Sequence, residues 1–351
     1  MSPPLFAICS DLDETPDAET YFELMRFLNT TEETSMGPGV GLEIGNSIYF
    51  DMRPGDFSYW NTTEENREKI RALIRSGHID VLHSFGDLAT TRGHAGRALE
   101  ELSRHGCEIK VWIDHAQAVS NFGADIMLGH GDEPSHPVYH ADLTFSYGVK
   151  YVWMGRVTSV IGQEQPFSLT QLWSDLRPPS SVHGPLVSAR TFAKECAKQM
   201  LSRVGHHKYA LHRSNRILGR TRLRDGREVP EFLRCNPHRG GVSCADRGDL
   251  IHEVLTRDFL DRLIARQGTC ILYTHLGKLG EGEYGRRFRP EVVSAFRLLA
   301  EYYNSGQLLV TTTRRLLDHL SSPPREIVPQ PSTLPTPSAS AWTRLQFPDV
   351  R

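Results

Sequence analysis

The chain has 351 residues, 39% hydrophobic and 23% charged, which suits one large or two ordinary folded domains and excludes a disordered chain. A formal charge of −2 argues against nucleic acid or an anionic membrane surface as partner. No stretch approaches the roughly 18 apolar residues of a membrane span, and residues 1–5 show no signal-type apolar core, so a cytoplasmic protein is expected.

Leu5-Phe6-Ala7-Ile8-Cys9 is a continuous apolar run suited to a buried central strand, and Ser10-Asp11-Leu12-Asp13 follows at once. Residues 17–28 predict a helix because Tyr21, Leu24, Met25 and Leu28 share one face. One or two strands are expected within 40–50, a turn with aromatics over 55–61, and a Glu/Arg-rich helix over 63–76. The strand Ile79-Asp80-Val81-Leu82-His83 comes next, then a helix over 93–105 and a strand over 108–113 that ends at Asp114-His115. Further along, strands are expected at 150–153, 231–235, 269–273 and 307–310, and helices at 188–204, 250–266, 290–304 and 314–320. A hairpin is expected within 209–229, turning at Asp225-Gly226.

This alternation implies parallel strands covered by helices, in about seven β/α beats. No Gly-rich phosphate loop follows the first strand, which favours a barrel over an open doubly wound sheet. The expected fold is therefore α/β, an irregular seven-stranded (β/α) barrel over 1–322. Six prolines between Pro323 and Pro337 mark 323–351 as a disordered or polyproline-like tail. The six cysteines form no C-x-x-C pair and read as reduced buried thiols, with Cys235 and Cys244 the one pair spaced to bridge a loop.

In parallel α/β folds the C-terminal ends of the strands face the active site. Here four strand ends carry acids or histidines: Asp11 and Asp13; His83 and Asp87; Asp114 and His115; Thr274 and His275. Of Asp11 and Asp13, one can hold a divalent metal while the other works as general base; alternatively the pair caps the helix that starts near Asp17. His83 and Asp87, four apart, suit a ligand pair if the loop turns helically. The loop 129–142 is rich in His and Asp, with Asp132, His140 and Asp142 as candidates for substrate binding alongside His115. Asp142 also reads as a helix cap. Arg234 and Asn236 suit a hydroxylated or anionic substrate, and His275 could protonate a leaving group.

The motifs Ser10-Asp11-Leu12-Asp13, His83-Ser84-Phe85-Gly86-Asp87 and Leu272-Tyr273-Thr274-His275 together resemble the polysaccharide deacetylase superfamily of carbohydrate esterases. The runs 77–88 and 270–278 look like a divergent branch of it associated with bacterial surface polysaccharide. The resemblance implies a metal-dependent hydrolase of an acylated, N-acetylated sugar or polysaccharide precursor. It implies Asp11 as base, His275 as acid, and Asp13, His83 and Asp87 as ligands of a divalent metal, zinc first, with manganese, cobalt and nickel as alternatives. Two departures are visible: Leu12 separates two acids that are adjacent in the family, and Asp87 stands where the family's motif has a second histidine, which makes the ligand set harder. A glycoside hydrolase of similar barrel build and a carbohydrate-binding protein without catalysis are the competing readings, and all three expect a carbohydrate partner.

Overall fold

The computed structural model describes residues 3–116, 118–176 and 185–321, side chains at 185 and 186 excepted; the tail expected over 323–351 lies outside them. The first strand, β1 (Leu5–Ser10), shows how the core is built. Its alternation sends Phe6 and Ile8 outward into a cluster with Leu24, Phe27 and Leu28 of α1 (Ala18–Asn29) and Phe296 and Leu299 of α8 (Pro290–Asn304). Ala7 and Cys9 go inward, to Val81 of β3 (Ile79–His83), Val111 and Ile113 of β4 (Val111–Ile113), and Tyr151 of β5 (Tyr151–Trp153). Small residues on one face and large ones on the other fit a curved sheet, narrow inside and covered by helices outside. Each buried Leu or Phe side chain contributes roughly 1.5–3 kcal/mol.

Apart from a small separate pair, Glu33–Thr34 with Gly37–Pro38, the remaining strands are β2 (Asn46–Ile48), β6 (Val157–Thr158), β7 (Leu218–Arg222), β8 (Glu228–Phe232), β9 (Arg234–Cys235), β10 (Cys270–Thr274) and β11 (Leu309–Val310). Hydrogen bonding orders them as β11-β1-β10-β9-β6 in one sheet and β2-β3-β4-β5-β8-β7 in the other. β1 lies parallel to β10, Ser10 opposite Thr274. Within these two sheets β7, the edge of the expected hairpin, is the antiparallel strand, against β8. The two sheets are one curved surface in chain terms, because β8 runs into β9 across Leu233 and β5 runs towards β6 across residues 154–156.

The expected barrel is not closed. β1 pairs with the two-residue β11 rather than with β2, and no pairing among the described strands joins the two sheets there. The last helix, α9 (Thr313–Ser321), packs where the ring would shut: Leu316 and Leu317 join the inner cluster, and the Arg314 amide donates to Asp80 of β3 at 2.8 Å. The helix expected over 250–266 is split, with a short 3-10 turn at Ile251–Glu253 and α7 (Arg257–Ala265) capped by Thr256. All six cysteines are free, including Cys235 and Cys244. No helix among the described residues is long and apolar enough to cross a membrane.

Candidate metal and proton-transfer site

The polar strand ends meet. Asp17, not Asp11 or Asp13, caps α1, accepting from the Thr20 amide at 2.8 Å, so the two acids after β1 are left for other partners. Asp13 sits at the centre. Its Oδ1 lies 2.8 Å from His115 Nε2 and 3.8 Å from His83 Nδ1, and its Oδ2 lies 3.2 Å from His275 Nε2. Strand register sets this convergence: β1, β3, β4 and β10 end at one level and each hands over its next polar residue. The chain then turns sharply. Glu14, Ser84 and Ala116, the residues directly after Asp13, His83 and His115, all have positive φ, at 58°, 53° and 41°. Each such conformation costs on the order of 1–3 kcal/mol, and that kind of strain collects at functional sites. Gly277, two residues after His275, serves close approach instead: a Cβ there would lie 1.8 Å from Thr15 Oγ1, so only glycine lets these two loops touch.

Asp13, His83 and His115 form one group whose ligand atoms lie within 4.8 Å of one another; Asp11, Asp13 and His275 form a second. Both are buried and geometrically compatible with a divalent ion. In the first group, ligands of a tetrahedral ion at about 2.1 Å would stand about 3.4 Å apart, and the two measured separations from Asp13 Oδ1 bracket that value. Asp13 Oδ1 makes no aligned hydrogen bond, although His115 Nε2 lies 2.8 Å away, and neither do the ring nitrogens on the far side from it, His83 Nε2 and His115 Nδ1. One carboxylate with two imidazoles is a donor set for zinc and its first-row neighbours.

The second group is organised for protons. His275 Nδ1 lies 2.9 Å from the Asp246 carbonyl, to which it donates, leaving Nε2 between Asp13 Oδ2 and Asp11 Oδ2, the latter at 3.7 Å. Asp11 is held on both oxygens by Arg234 of β9, with Nη2 to Oδ2 at 3.1 Å. The guanidinium is fully buried and lies 3.4 Å from the Trp153 ring centre and 4.4 Å from that of Tyr273. Burial pushes Asp13 towards its neutral form, but His83, His115 and His275 outweigh it and hold its carboxyl well below the usual range. Burial likewise opposes charge on His115, yet Asp13 and Asp87 raise it to about 10. On His83 burial wins against Asp13 and lowers it to about 4. Burial also opposes charge on His275, and Asp13 and Asp11 still raise it.

The other expected site residues are distributed differently. Asp87 lies outside both ligand groups; its Oδ1 stands 3.0 Å behind His115 Nδ1. His115, expected to bind substrate, occupies the ligand group. Asp132 accepts from the Arg224 amide at 2.8 Å and from its Nε at 2.9 Å. Asp142 pairs with both terminal nitrogens of Arg92 in the first turn of α4 (Ala141–Tyr147). His140 is fully buried against Phe85, Trp112 and Phe122; its Nε2 donates to the Ser120 carbonyl at 2.7 Å and its Nδ1 accepts from Thr144. Asn236 bonds within its own loop, to the Cys244 carbonyl and the His238 amide. Asp132 and Asp142 thus tie their loop to Arg224 and Arg92, while His140 and Asn236 bond closer to home. The sequence reading missed Tyr49, whose ring centre lies 5.6 Å from those of both His83 and His115; its place just beyond β2 was the available signal. A cavity of about 600 Å³, walled by loops after β1 and β2 and by Arg286, is lined by none of these site residues.

No family model matches the chain, and no curated protein matches it. Among solved structures it is similar to an endo-β-1,3-glucanase of GH128 subgroup I from Amycolatopsis mediterranei, crystallised with laminarihexaose. The identity is 11%, the match covers 84% of this chain and 98% of that one, and the TM-score is 0.28. At that TM-score the overlap transfers neither residues nor activity, so the deacetylase resemblance rests on the strand-end motifs themselves.

Proposed function

We propose that the protein is a metal-dependent hydrolase that removes an acyl group from an N-acylated sugar or polysaccharide precursor. The observation that carries this reading is Asp13: one carboxylate whose first oxygen faces two imidazoles and whose second faces a third, beside a charge-clamped partner acid. Asp13, His83 and His115 would hold the divalent ion, zinc in the first place. The chemistry it supplies when bound is polarisation of an acyl carbonyl and acidification of a water. His275 exchanges the proton through Nε2, which starts the step unprotonated, because Nδ1–H is committed to the Asp246 carbonyl. It accepts the proton of the attacking water and delivers it to the departing amine as the C–N bond breaks. Asp11, fixed by Arg234, is the stationary charge that favours the imidazolium; this moves the base role from Asp11, where the motif resemblance puts it, to the Asp11–His275 pair. Asp87 orients His115 from behind, as carboxylates do for ligating histidines.

The test is acetate release from N-acetylated oligosaccharides by protein loaded with Zn²⁺, Mn²⁺, Co²⁺ or Ni²⁺. Full activity in Asp13→Ala, or no ion bound at micromolar concentration, would sink the reading. A glycoside hydrolase is the second reading, for which Asp11 and Asp13, both within 4 Å of His275 Nε2, offer carboxylates. Freed reducing ends without acetate would decide for it.

A further inference from the structure

Tyr49 is 2% exposed and stands directly after β2, at the level where the other strand ends deliver their polar groups. Its ring is tilted by 34° against His83 and 40° against His115, so it walls the ligand group on the β2 side. The carboxylates of Asp13, Asp56 and Asp87 are all near enough to act on its phenol electrostatically, and Asp56 also lines the cavity. Yet the hydroxyl makes no hydrogen bond to any of them, nor to any other described residue. Buried tyrosines ordinarily place their hydroxyl on a partner. Tyr21, Tyr59, Tyr147 and Tyr151 in this chain all do so. A phenol is protonated at neutral pH and is a donor; this one stands beside the ligand group, and its oxygen is not among the sealed polar atoms that lack a partner, so it stays open to an incoming acceptor.

We propose that the Tyr49 hydroxyl donates to the substrate's reacting oxygen at the Asp13–His83–His115 group and strengthens that bond as negative charge develops there. This assignment rests on the hydrolase reading. It makes Tyr49 a catalytic residue in the sense of an oxyanion donor, fixed in place before substrate arrives. It also places the acyl group between the β2 end and His275, with the remainder of the substrate leading towards the cavity walled by Asp56.

The test is Tyr49→Phe, which keeps the ring packing and removes only the donor. Acetate release should fall about 100-fold in kcat, the order expected for loss of one oxyanion donor, with bound metal per chain and KM unchanged. A second readout separates the two ideas: titration of the Co²⁺-loaded protein with acetate, followed in the visible spectrum. Acetate should bind about tenfold more weakly to Tyr49→Phe than to the unaltered protein. If acetate weakens as expected but no acyl substrate is turned over, the hydrolase reading fails and the donor assignment stands. If acetate binds equally to both, or if Tyr49→Phe loses its Co²⁺, the assignment is overturned, the second outcome showing a structural role. Unaltered protein that takes up no Co²⁺ overturns both.

Discussion

Two regions of the molecule carry similar concentrations of histidine and aspartate and use them in opposite ways. In the loop 129–142, each polar group closes on a partner of its own: Asp132 on Arg224, Asp142 on Arg92, His140 on Ser120 and Thr144. At the strand ends, Asp13, His83, His115 and His275 close on one another and leave Asp13 Oδ1 without an aligned hydrogen bond. The first pattern is how a protein satisfies polar groups that it must bury. The second retains unsatisfied capacity at the cost of strained backbone at three turns, which points to use. Convergence with leftover valence, rather than the abundance of polar residues, distinguishes the two.

The largest expected break falls at the centre of the second region. Asp13→Ala or His83→Ala should abolish binding of one divalent ion and lower acyl hydrolysis by at least about a thousandfold, because activation of water is lost with the ion; equilibrium dialysis and acetate release check it. His140→Ala, changed in the first region, should leave ion binding intact. Next comes Arg234→Met, which strands Asp11 as a buried charge. Breaking such a pair costs about 3–5 kcal/mol, whereas replacing both partners by apolar groups is often close to neutral. Urea melts should therefore show Arg234→Met strongly destabilised and the double change with Asp11→Leu largely recovered. An equal loss in both would mean that the stacking of Arg234 on Trp153 and Tyr273, not the charge pair, is what the site loses.

The loop should also contribute a pH signature, of a kind that buried histidines outside it, His83 among them, share. Burial holds His140 neutral and lowers it to about 4, and does the same to His212, to about 3. A buried base with a lowered folded-state pKa leaves the unfolded chain binding more protons, so stability is present above about pH 6.5 and lost as pH falls towards 4. For His140 the loss is about 3 kcal/mol at full extent, by the 1.36 kcal/mol per unit relation. Thermal melts of His140→Gln between pH 4 and 7 should show a shallower acid slope than the unaltered protein; parallel slopes would remove His140 from the account.

Much of this could be read from the residues in order. The apolar run before Asp11, the strand Ile79–His83 and the helix Pro290–Asn304 appear where period and caps put them. The shared strand-end face was legible for the same reason, since it needs only the rule that parallel strands point one way. What was not legible is set by distance in three dimensions. Asp87 sits four residues from His83, the spacing of a ligand pair, but positive φ at Ser84 and Gly86 swings it behind His115 instead. His115 comes from the neighbouring strand, and no local spacing announces a ligand across a sheet. The open ring had the same cause: closure depends on the lengths of β2 and β11, and strand ends are where patterns blur.

The smallest expected effect is also the most diagnostic of the loop. Arg92 meets Asp142 with two parallel bonds, 2.6 and 2.7 Å, a geometry that suggests importance when seen alone. Both side chains are more than a third exposed in round terms, at 41% and 34%. Water and salt screen such a pair, and exposed pairs contribute about 0–1 kcal/mol. Asp142→Asn removes the charge but keeps a short polar group in the first turn of α4. It should shift stability by no more than about 1 kcal/mol at low salt and less at high salt, with metal content and acetate release unchanged. A large loss of activity in Asp142→Asn would erase the line drawn between the two regions, because it would give function to a residue whose every hydrogen bond is already made.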